Sequence, residues 1–406
     1  MVARLRVLFF LLTIVIVSTV GYFLSYYAKG YRFDMKTLSL QPNGILVIKS
    51  NPDAAQVFIN NGEFKAVTNS TLNLPPGTYD VSVRKEGFIS WNKRLTITKE
   101  VVTDADAHLY RMVPSLSAVT FSGVITPLPS PDFTKIAYIV PPGNNGETME
   151  QTGLWVMELI NLPLGFSRDP KRVTDGDLKG AFISWSPDSR QILIRTTLGS
   201  YLLDSGTFTP QASRLNILAQ QEKTLTDWQI LEEKRTVAKS QTLPDPLGDI
   251  LNRKVEAYVY SPDETKILYT ASESASLPDS ILQPLPGSST QKQERQIQAG
   301  HTYVYDLKED RNFQVDEDYS NLTITPWKES DKPRHMFWFP SSRHLVHAEE
   351  GKITIMDMDG TNRQTVYSGS YFSPNVLPAS STDRLLILTN LGADSALPNL
   401  YSLSLK

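Results

Sequence analysis

The chain begins with an uncharged apolar segment and then changes to short segments in which apolar and polar residues alternate. Residues 7–27 carry no charge. At about 1.5 Å per residue, a helix of this length crosses the roughly 30 Å hydrocarbon layer of a membrane. A cleaved signal peptide, the alternative, has a shorter apolar region followed by a small-x-small site. Because this run is long and ends in aromatic residues, the pattern predicts an uncleaved transmembrane signal anchor after a head of residues 1–6.

The orientation of this anchor depends on the basic residues that flank it. Arg4 and Arg6 precede the segment, and Lys29, Arg32 and Lys36 follow it. The count of cations is therefore nearly even on the two sides. A short cytoplasmic head with the body outside is the commoner arrangement. We expect a single-pass protein of the cell membrane with the lipid bilayer as one partner and the body on the extracytoplasmic side.

After a connector over 28–43, the alternation has a period of two. In TYDVSVR, Tyr79, Val81 and Val83 fall on one face, and the polar residues fall on the other. Segments 44–50, 55–60 and 94–98 also have strand patterns, and Asn-Asn-Gly and Pro-Pro-Gly sequences separate strands as turns do. With no helical period present, these strands predict a small β-sandwich over 44–112.

From residue 113 onward one decapeptide recurs. SPDFTKIAYI, SPDSRQILIR and SPDETKILYT begin at Ser130, Ser186 and Ser261, and weaker copies begin at 340 and 379. Apolar segments flank each copy, which is the strand–turn–strand pattern of a propeller blade of about 40–45 residues. One blade cannot bury both of its faces. The repeats therefore predict a β-propeller over 113–406 with about six blades.

The spacing of the repeats leaves room for insertions. Trp228, Leu231 and Arg235 follow helical spacing, and Thr226 with Gln229 predicts a capping box. Pro246 is expected in the first turn of a second short helix. The sequence thus predicts a helical insertion near 224–253 and an exposed loop near 273–300, and a partner-specific surface is expected on these insertions.

Composition excludes several functions. The chain has 40 basic and 43 acidic residues, which argues against a nucleic-acid partner, since phosphates require a basic excess. Cysteine is absent, which excludes disulfides, thiolate nucleophiles and cysteine-rich zinc sites. A bacterial origin is the expectation that fits this absence best.

The repeated Ser-Pro-Asp triplet has two interpretations. It offers a hydroxyl next to a carboxylate, as a nucleophile would require. A turn explains it better, because Pro sets φ while Ser and Asp bond to neighbouring amides. A catalytic group is needed once, whereas this triplet occurs three times.

Other candidate sites also have simpler structural explanations. His335, His344 and His347 are close in sequence, but residues 344 and 347 would point to opposite faces of a strand. Asp357-Met358-Asp359-Gly360 and Asp175-Gly176-Asp177 begin like calcium loops, yet position twelve of the first is Ser368 rather than Glu. We therefore predict no catalytic residue, no metal site and no cofactor; the ligand-binding residues remain unknown.

Two regions resemble known families. SNPDAAQVFINNG (50–62) and LPPGTYDVSVRKEGFISW (74–91) resemble the PEGA domain, a β-sandwich module of bacterial and archaeal envelope proteins. The resemblance implies a non-catalytic, surface-exposed module. Ala54 stands where the Pro-Glu-Gly-Ala signature has glycine, which predicts that its backbone does not need a positive φ.

The repeats resemble the WD40-like repeats of periplasmic TolB-type propellers. The matching residues are WSPD at 185–188, YSPD at 260–263 and DMDGTN at 357–362. The fold predicted is thus mainly β: a transmembrane helix, a PEGA-like sandwich, and a TolB-like propeller with a short helical insertion.

This architecture predicts a membrane-anchored, non-catalytic binding or scaffolding protein of the cell envelope. Its partner would be an envelope protein or a glycan, and exposed aromatic residues could also stack on carbohydrate. Two alternatives remain: an envelope hydrolase with a site assembled across propeller blades, and a sensor or adaptor of a membrane complex. A deep pocket with clustered, perturbed carboxylates or histidines would favour the enzyme.

Overall fold

The computed structural model describes residues 2–29, 31–34, 39–142, 151–159, 169–283, 285, 289–325, 332–379, 381–393 and 396–406. Its contacts divide the chain into two compact units. Unit 1 comprises Met1–Leu109 with Pro284–Lys292, and unit 2 comprises Tyr110–Gln283 with Gln293–Lys406.

Unit 1 contains one helix followed by short strands. Two of its sheets, with strand orders β6-β3-β9 and β5-β4-β7-β8, enclose one apolar core and form the predicted β-sandwich. The alternation in β7 sets its faces, since Val81 and Val83 are buried while Asp80 and Arg84 are exposed. The elements are α1 (Val2–Ala28), β1 (Arg32–Asp34), β2 (Ser39–Gln41), β3 (Gly44–Asn51), β4 (Gln56–Ile59), β5 (Gly62–Val67), β6 (Ser70–Leu74), β7 (Gly77–Arg84), β8 (Trp91–Ile97) and β9 (Val102–His108).

Helix α1 has the length and composition of a membrane span. Its segment Phe9–Ala28 has a mean hydropathy of 2.0, and none of it is buried inside the protein. The helix extends beyond the apolar run predicted from the sequence, because it begins at Val2.

The expectation for Ala54 was wrong. Its φ is +53°, in the left-handed region, although it is not glycine. The turn that holds it is fixed by contacts with a distant residue: Ala54 N donates to Thr68 O (2.9 Å) and Ala55 N donates to Thr68 Oγ1 (2.9 Å). These bonds impose the conformation that glycine would adopt without strain.

Unit 2 consists of β-strands with one helical insertion. Its elements are β10 (Ser115–Ala118), β11 (Ile125–Pro129), β12 (Lys135–Val140), β13 (Gly153–Glu158), β14 (Lys171–Asp175), β15 (Phe182–Trp185), β16 (Gln191–Thr196), β17 (Gly199–Asp204), α2 (Gln221–Ser240), α3 (Asp245–Arg253), β18 (Val255–Tyr260), β19 (Lys266–Ala271), β20 (Ala275–Ser276), β21 (Gln296–Ile297), β22 (Thr302–Asp306), β23 (Arg311–Asp316), β24 (Leu322–Thr323), β25 (Arg334–Trp338), β26 (His344–Glu349), β27 (Lys352–Asp357), β28 (Gln364–Ser368), β29 (Val376–Pro378), β30 (Arg384–Thr389) and β31 (Asn399–Ser404).

Most of these strands form five blade-like sheets. Sheet I is β11-β12-β13-β14, sheet II is β15-β16-β17, sheet III is β18-β19-β22-β23, sheet IV is β24-β25-β26-β27-β28, and sheet V is β29-β30-β31-β10. About six blades were expected, whereas the described residues of unit 2 form five such sheets. Part of the remaining length forms α2, α3 and the short pair β20-β21.

The apolar cores of unit 2 lie between neighbouring sheets. Separate buried clusters join sheets I and II, III and IV, IV and V, and V and I. Between sheets II and III, helix α2 makes polar contacts with both sheets. Arg235 Nη1 donates to Pro187 O of sheet II (2.9 Å), and Lys239 Nζ donates to Glu264 Oε1 of sheet III (2.6 Å).

The helical insertion differs in detail from its prediction. Helix α2 begins at Gln221, so Thr226 lies inside it and the predicted capping box is wrong. A 3₁₀ turn over Leu218–Gln220 leads directly into α2. Pro246 lies in the first turn of α3, as predicted.

Candidate ligand-binding cavities

The three Ser-Pro-Asp turns share one set of hydrogen bonds. In sheet III, Ser261 Oγ donates to Asp263 Oδ1 (2.7 Å) and accepts a bond from Lys266 N (3.0 Å). Sheets I and II repeat this pair of bonds at Ser130 and Ser186. The serines are at most 3% exposed, so each hydroxyl is enclosed and committed to its turn. This geometry supports the turn interpretation of the triplet.

Hydrogen bonds also hold the turn carboxylates in the ionised form. Burial alone would raise the pKa of Asp263, but hydrogen bonds from Ser261 and Thr265 outweigh it and lower the pKa. The same balance lowers the pKa of Asp132. These aspartates accept hydrogen bonds and are not poised to take up a proton near neutral pH.

The fourth residue of the repeated turn has a positive φ, and at two positions it connects neighbouring sheets. Phe133, Ser189, Glu264 and Ser342 all have φ between +55° and +61°. Ser189 Oγ accepts a hydrogen bond from Asp132 N of sheet I (3.3 Å), and Ser342 Oγ accepts one from Asp263 N of sheet III (3.0 Å). The repeated turn therefore contributes to packing between sheets.

A cavity of about 540 Å³ lies where strands β11, β18, β25 and β29 end and enter their turns. It is here called the proline cavity. Its wall comes from sheets I, III, IV and V and is rich in prolines and aromatic rings. Its lining residues include Pro131, Phe133, Tyr260, Pro262, Trp338 and Pro340. Trp338 is fixed by a bond from its Nε1 to Val259 O (3.3 Å). The size and apolar wall are typical of ligand sites.

Helix α2 contributes to the wall of this cavity, and none of the described lining residues comes from sheet II. Lys239 lines it, with Nζ 5.4 Å from the centre of the Tyr260 ring and 2.6 Å from Glu264 Oε1. Pro187, the counterpart of Pro131 and Pro262 in sheet II, is instead engaged through its carbonyl by Arg235. The helical insertion thus contributes to the cavity, where the sequence led us to expect a partner-specific surface.

A second cavity, of about 820 Å³, lies where strands β11, β15, β25 and β29 begin. It is here called the basic cavity. Arg195, Lys332, His335, Phe182, Thr126 and Asn375 are among its lining residues. Lys332 Nζ donates to Glu256 Oε1 (3.1 Å), whereas the Arg195 guanidinium lies 4.9 Å from the centre of the Phe182 ring. Burial lowers the pKa of His335 to about 4, so its ring is neutral at physiological pH.

The structure places two of the three candidate metal-binding histidines, His344 and His347, on opposite faces of one strand. His344 lies on the face of β26 that carries Val346, and His347 lies on the opposite face with Leu345, as predicted. His344 Nδ1 is 2.8 Å from Ser341 Oγ, and His347 Nε2 accepts a bond from Arg334 Nε (3.2 Å). No metal-binding group of three or more His, Cys, Asp or Glu residues occurs among the described residues.

The two calcium-like segments are turns. Gly360 has a φ of +77° and donates from N to Asp357 O (2.9 Å). Gly176 has a φ of +89°. In both segments glycine adopts a conformation that other residues disfavour, which agrees with the prediction.

The cavities were not found from the sequence. Their walls combine residues from separate sheets, whose neighbours in space are far apart in the chain. One signal was available: proline follows serine in the repeats at 131 and 262, and equivalent turns converge at one end of a propeller.

Comparison with known proteins supports the resemblance to the PEGA domain. Residues 43–112 match the PEGA domain model. A putative TolB from Agrobacterium tumefaciens has 13% identity and a TM-score of 0.20, over 69% of this chain and 71% of that one. TolB from Acinetobacter baumannii has 12% identity and a TM-score of 0.19, over 80% of this chain and 59% of that one.

No curated protein matches the chain. At these TM-scores, the two TolB structures carry no argument about the fold or the function of this chain. The predicted resemblance to the PEGA domain is confirmed. Residues 43–112 therefore match the PEGA domain family.

Proposed function

We propose that this protein is a membrane-anchored binding protein of the cell envelope, and that its proline cavity holds a segment of a partner protein. The observation that carries the proposal is the cavity wall, in which prolines and aromatic rings from four sheets converge. The PEGA match over residues 43–112 fits an envelope-associated interaction role.

The chemistry of the wall favours a peptide ligand. Proline rings are rigid, and buried Trp338 is already held in place, so little side-chain freedom is lost when a ligand binds. Grooves lined by aromatic residues recognise extended segments, particularly those that contain proline. The neighbouring Lys239 and Glu264 offer both signs of charge at the cavity, which would orient a peptide rather than select a single charged group.

The turn hydroxyls argue against hydrolysis at the proline cavity. Ser261 lines the cavity, but it is 2% exposed, and its hydroxyl donates to Asp263. Activation of a serine nucleophile requires an adjacent general base that takes its proton. Asp263, with its lowered pKa, instead supports the turn. Binding without catalysis is therefore the function that this geometry supports best.

Helix α1 supplies the proposed anchor. Its uncharged segment has no buried residue and suits the hydrocarbon of a bilayer. We propose that the body lies on the extracytoplasmic side. A glycan remains the alternative ligand, since aromatic rings also stack on sugars.

Affinity capture of the full-length chain from envelope membranes tests the proposal. Tyr260→Ala removes a half-buried ring of the cavity, and Tyr401→Ala removes a half-buried ring of sheet V as a control. We expect specific proteins to co-purify with the wild type and Tyr401→Ala, and to decrease about tenfold with Tyr260→Ala. Equal recovery with both variants, or recovery of glycan alone, would contradict the proposal.

A further inference from the structure

The basic cavity has a charge distribution that the proline cavity lacks. Among the described residues that line it, Arg195 and Lys332 are charged and none is acidic. The other wall residues include neutral hydrogen-bonding groups such as Thr126, Ser184 and Asn375. Such a wall attracts a negatively charged ligand and offers polar contacts to the rest of it.

Arg195 is the cation that is available to a ligand. It lies on β16 directly opposite Phe182 on β15, and its guanidinium stacks on the Phe182 ring. Within the described part of the chain it has no carboxylate partner, and its side chain is exposed. Two other arginines of unit 2 are paired with carboxylates: Arg295 with Asp310 (3.0 Å), and Arg334 with Asp316 (2.6 Å).

The remaining cation of the wall is already engaged. Lys332 Nζ donates to Glu256 Oε1 (3.1 Å) and to Leu322 O (3.2 Å). The Glu256 carboxylate offsets the charge of this ammonium group, so Lys332 contributes little to the field of the cavity. One free, planar guanidinium therefore determines which anion the cavity suits.

We infer that the basic cavity binds a carboxylate-bearing ligand, and that Arg195 pairs with the carboxylate. A guanidinium presents parallel N–H donors that match the two oxygens of a carboxylate. The ring of Phe182 holds that plane in position before the ligand arrives. A phosphate, with its higher charge, would be better matched by several free cations.

The basic cavity and the proline cavity lie at opposite ends of strands β11, β25 and β29. The inference does not depend on the proposed function. The carboxylate could belong to a small molecule or to an acidic peptide, and the two sources share the contact with Arg195. Calorimetric titration of the full-length chain in detergent micelles, first with citrate and then with acetyl-Gly-Glu-Glu-Gly-amide, distinguishes them. The Gln-containing counterpart of the peptide is the neutral control.

We expect saturable binding of citrate or of the acidic peptide, weakened by added salt, and no binding of the Gln-containing peptide. Arg195→Gln should weaken binding about tenfold or more. Arg190→Gln removes an exposed arginine from the turn at the other end of β16 and should bind as the wild type does. Circular dichroism of each variant verifies the fold.

The inference is overturned if neither acid binds, if the Gln-containing peptide binds equally, or if Arg195→Gln retains wild-type affinity. A loss in Arg190→Gln as large as that in Arg195→Gln would also overturn it. Tyr260→Ala should keep carboxylate binding, so failure of the proline-cavity proposal and failure of this inference give different results.

Discussion

Ala54 carries local backbone strain in a turn of unit 1. An L-residue in the left-handed region costs roughly 1–2 kcal/mol, and glycine avoids that cost while gaining freedom in the unfolded chain. Ala54→Gly should therefore stabilise unit 1 by about 0.5–1 kcal/mol. The measurement is native-state hydrogen exchange at the amides of Val81 and Val83, which are buried in the core of the unit.

The next residue is the matched control. Ala55 is fully buried in the same core, so Ala55→Gly removes packed atoms and should destabilise the unit by about 1 kcal/mol. If Ala54→Gly destabilises unit 1 as much as Ala55→Gly does, then Ala54 carries no backbone strain that glycine relieves. The sequence did not indicate the positive φ of Ala54 because Thr68, which accepts the hydrogen bonds that impose it, lies far away in the chain.

Two buried histidines predict acid sensitivity in unit 2. Burial lowers the pKa of His335 to about 4 and that of His347 to about 4, from an ordinary value of 6.5. Between pH 6.5 and 4 the unfolded chain binds more protons than the folded chain, so stability is present above pH 6.5 and is lost as the pH falls. The loss is on the order of 2 kcal/mol per histidine.

Urea denaturation of the full chain at pH 7 and at pH 4.5 measures this effect. His335→Asn should reduce the difference in unfolding free energy between the two pH values. Met336→Leu, at a buried neighbour on the same strand, should change stability without changing that difference. If the unfolding free energy of His335→Asn changes with pH as much as that of the wild type, then His335 does not cause the acid sensitivity.

Helix α2 is weakly held compared with α3. It has no buried residue over Gln221–Ser240, whereas α3 buries Leu247, Ile250 and Leu251. Elements with few buried apolar contacts open locally at low cost. Trypsin should therefore cut the native chain within α2 well before it cuts at Arg253 of α3, as mass spectrometry of timed digests would show.

One contact should control this local opening. Arg235 Nη1 donates to Pro187 O (2.9 Å), so Arg235→Gln should speed tryptic cleavage at the other basic residues of α2. Cleavage after Arg253 should keep its rate and serves as the internal control. Equal rates of cleavage in the two helices would show that α2 is as firmly held as α3.

At the scale of elements, local sequence signals worked where local forces decide the structure. The alternation of Val81 and Val83 predicted a half-buried strand, and Pro246 predicted the first turn of α3. The capping box at Thr226 was wrong because the preceding 3₁₀ turn extends the helical segment upstream. Helix boundaries depend on such neighbouring turns, which periodicity alone does not locate.

At the scale of the whole molecule, the repeats predicted the sheets but not the cavities between them. The proline cavity combines Pro131, Tyr260 and Trp338 from three sheets, and no local pattern relates these positions. Arg195 likewise gains its role from the cross-strand ring of Phe182 and from the absence of a described carboxylate in the cavity wall. Such features arise only when separate sheets assemble.

The proposed topology can be tested through the absence of cysteine. Ser117→Cys introduces a single thiol at an exposed position of β10 in unit 2, and Ala3→Cys introduces one in the head. A membrane-impermeant maleimide should label Cys at 117, but not at 3, in cells whose outer barrier has been opened and whose inner membrane is intact. The reverse pattern would place the body in the cytoplasm.

The central claim is that a partner protein occupies the proline cavity, and site-specific photocrosslinking tests it most directly. A photoreactive phenylalanine analogue would replace Phe133 in the cavity wall or, as the control, exposed Phe208 of unit 2 in the full-length chain in its native membrane. We predict a discrete protein adduct, identified by mass spectrometry, from position 133 and none from position 208. No protein adduct at 133, or the same adduct at both positions, would contradict the claim.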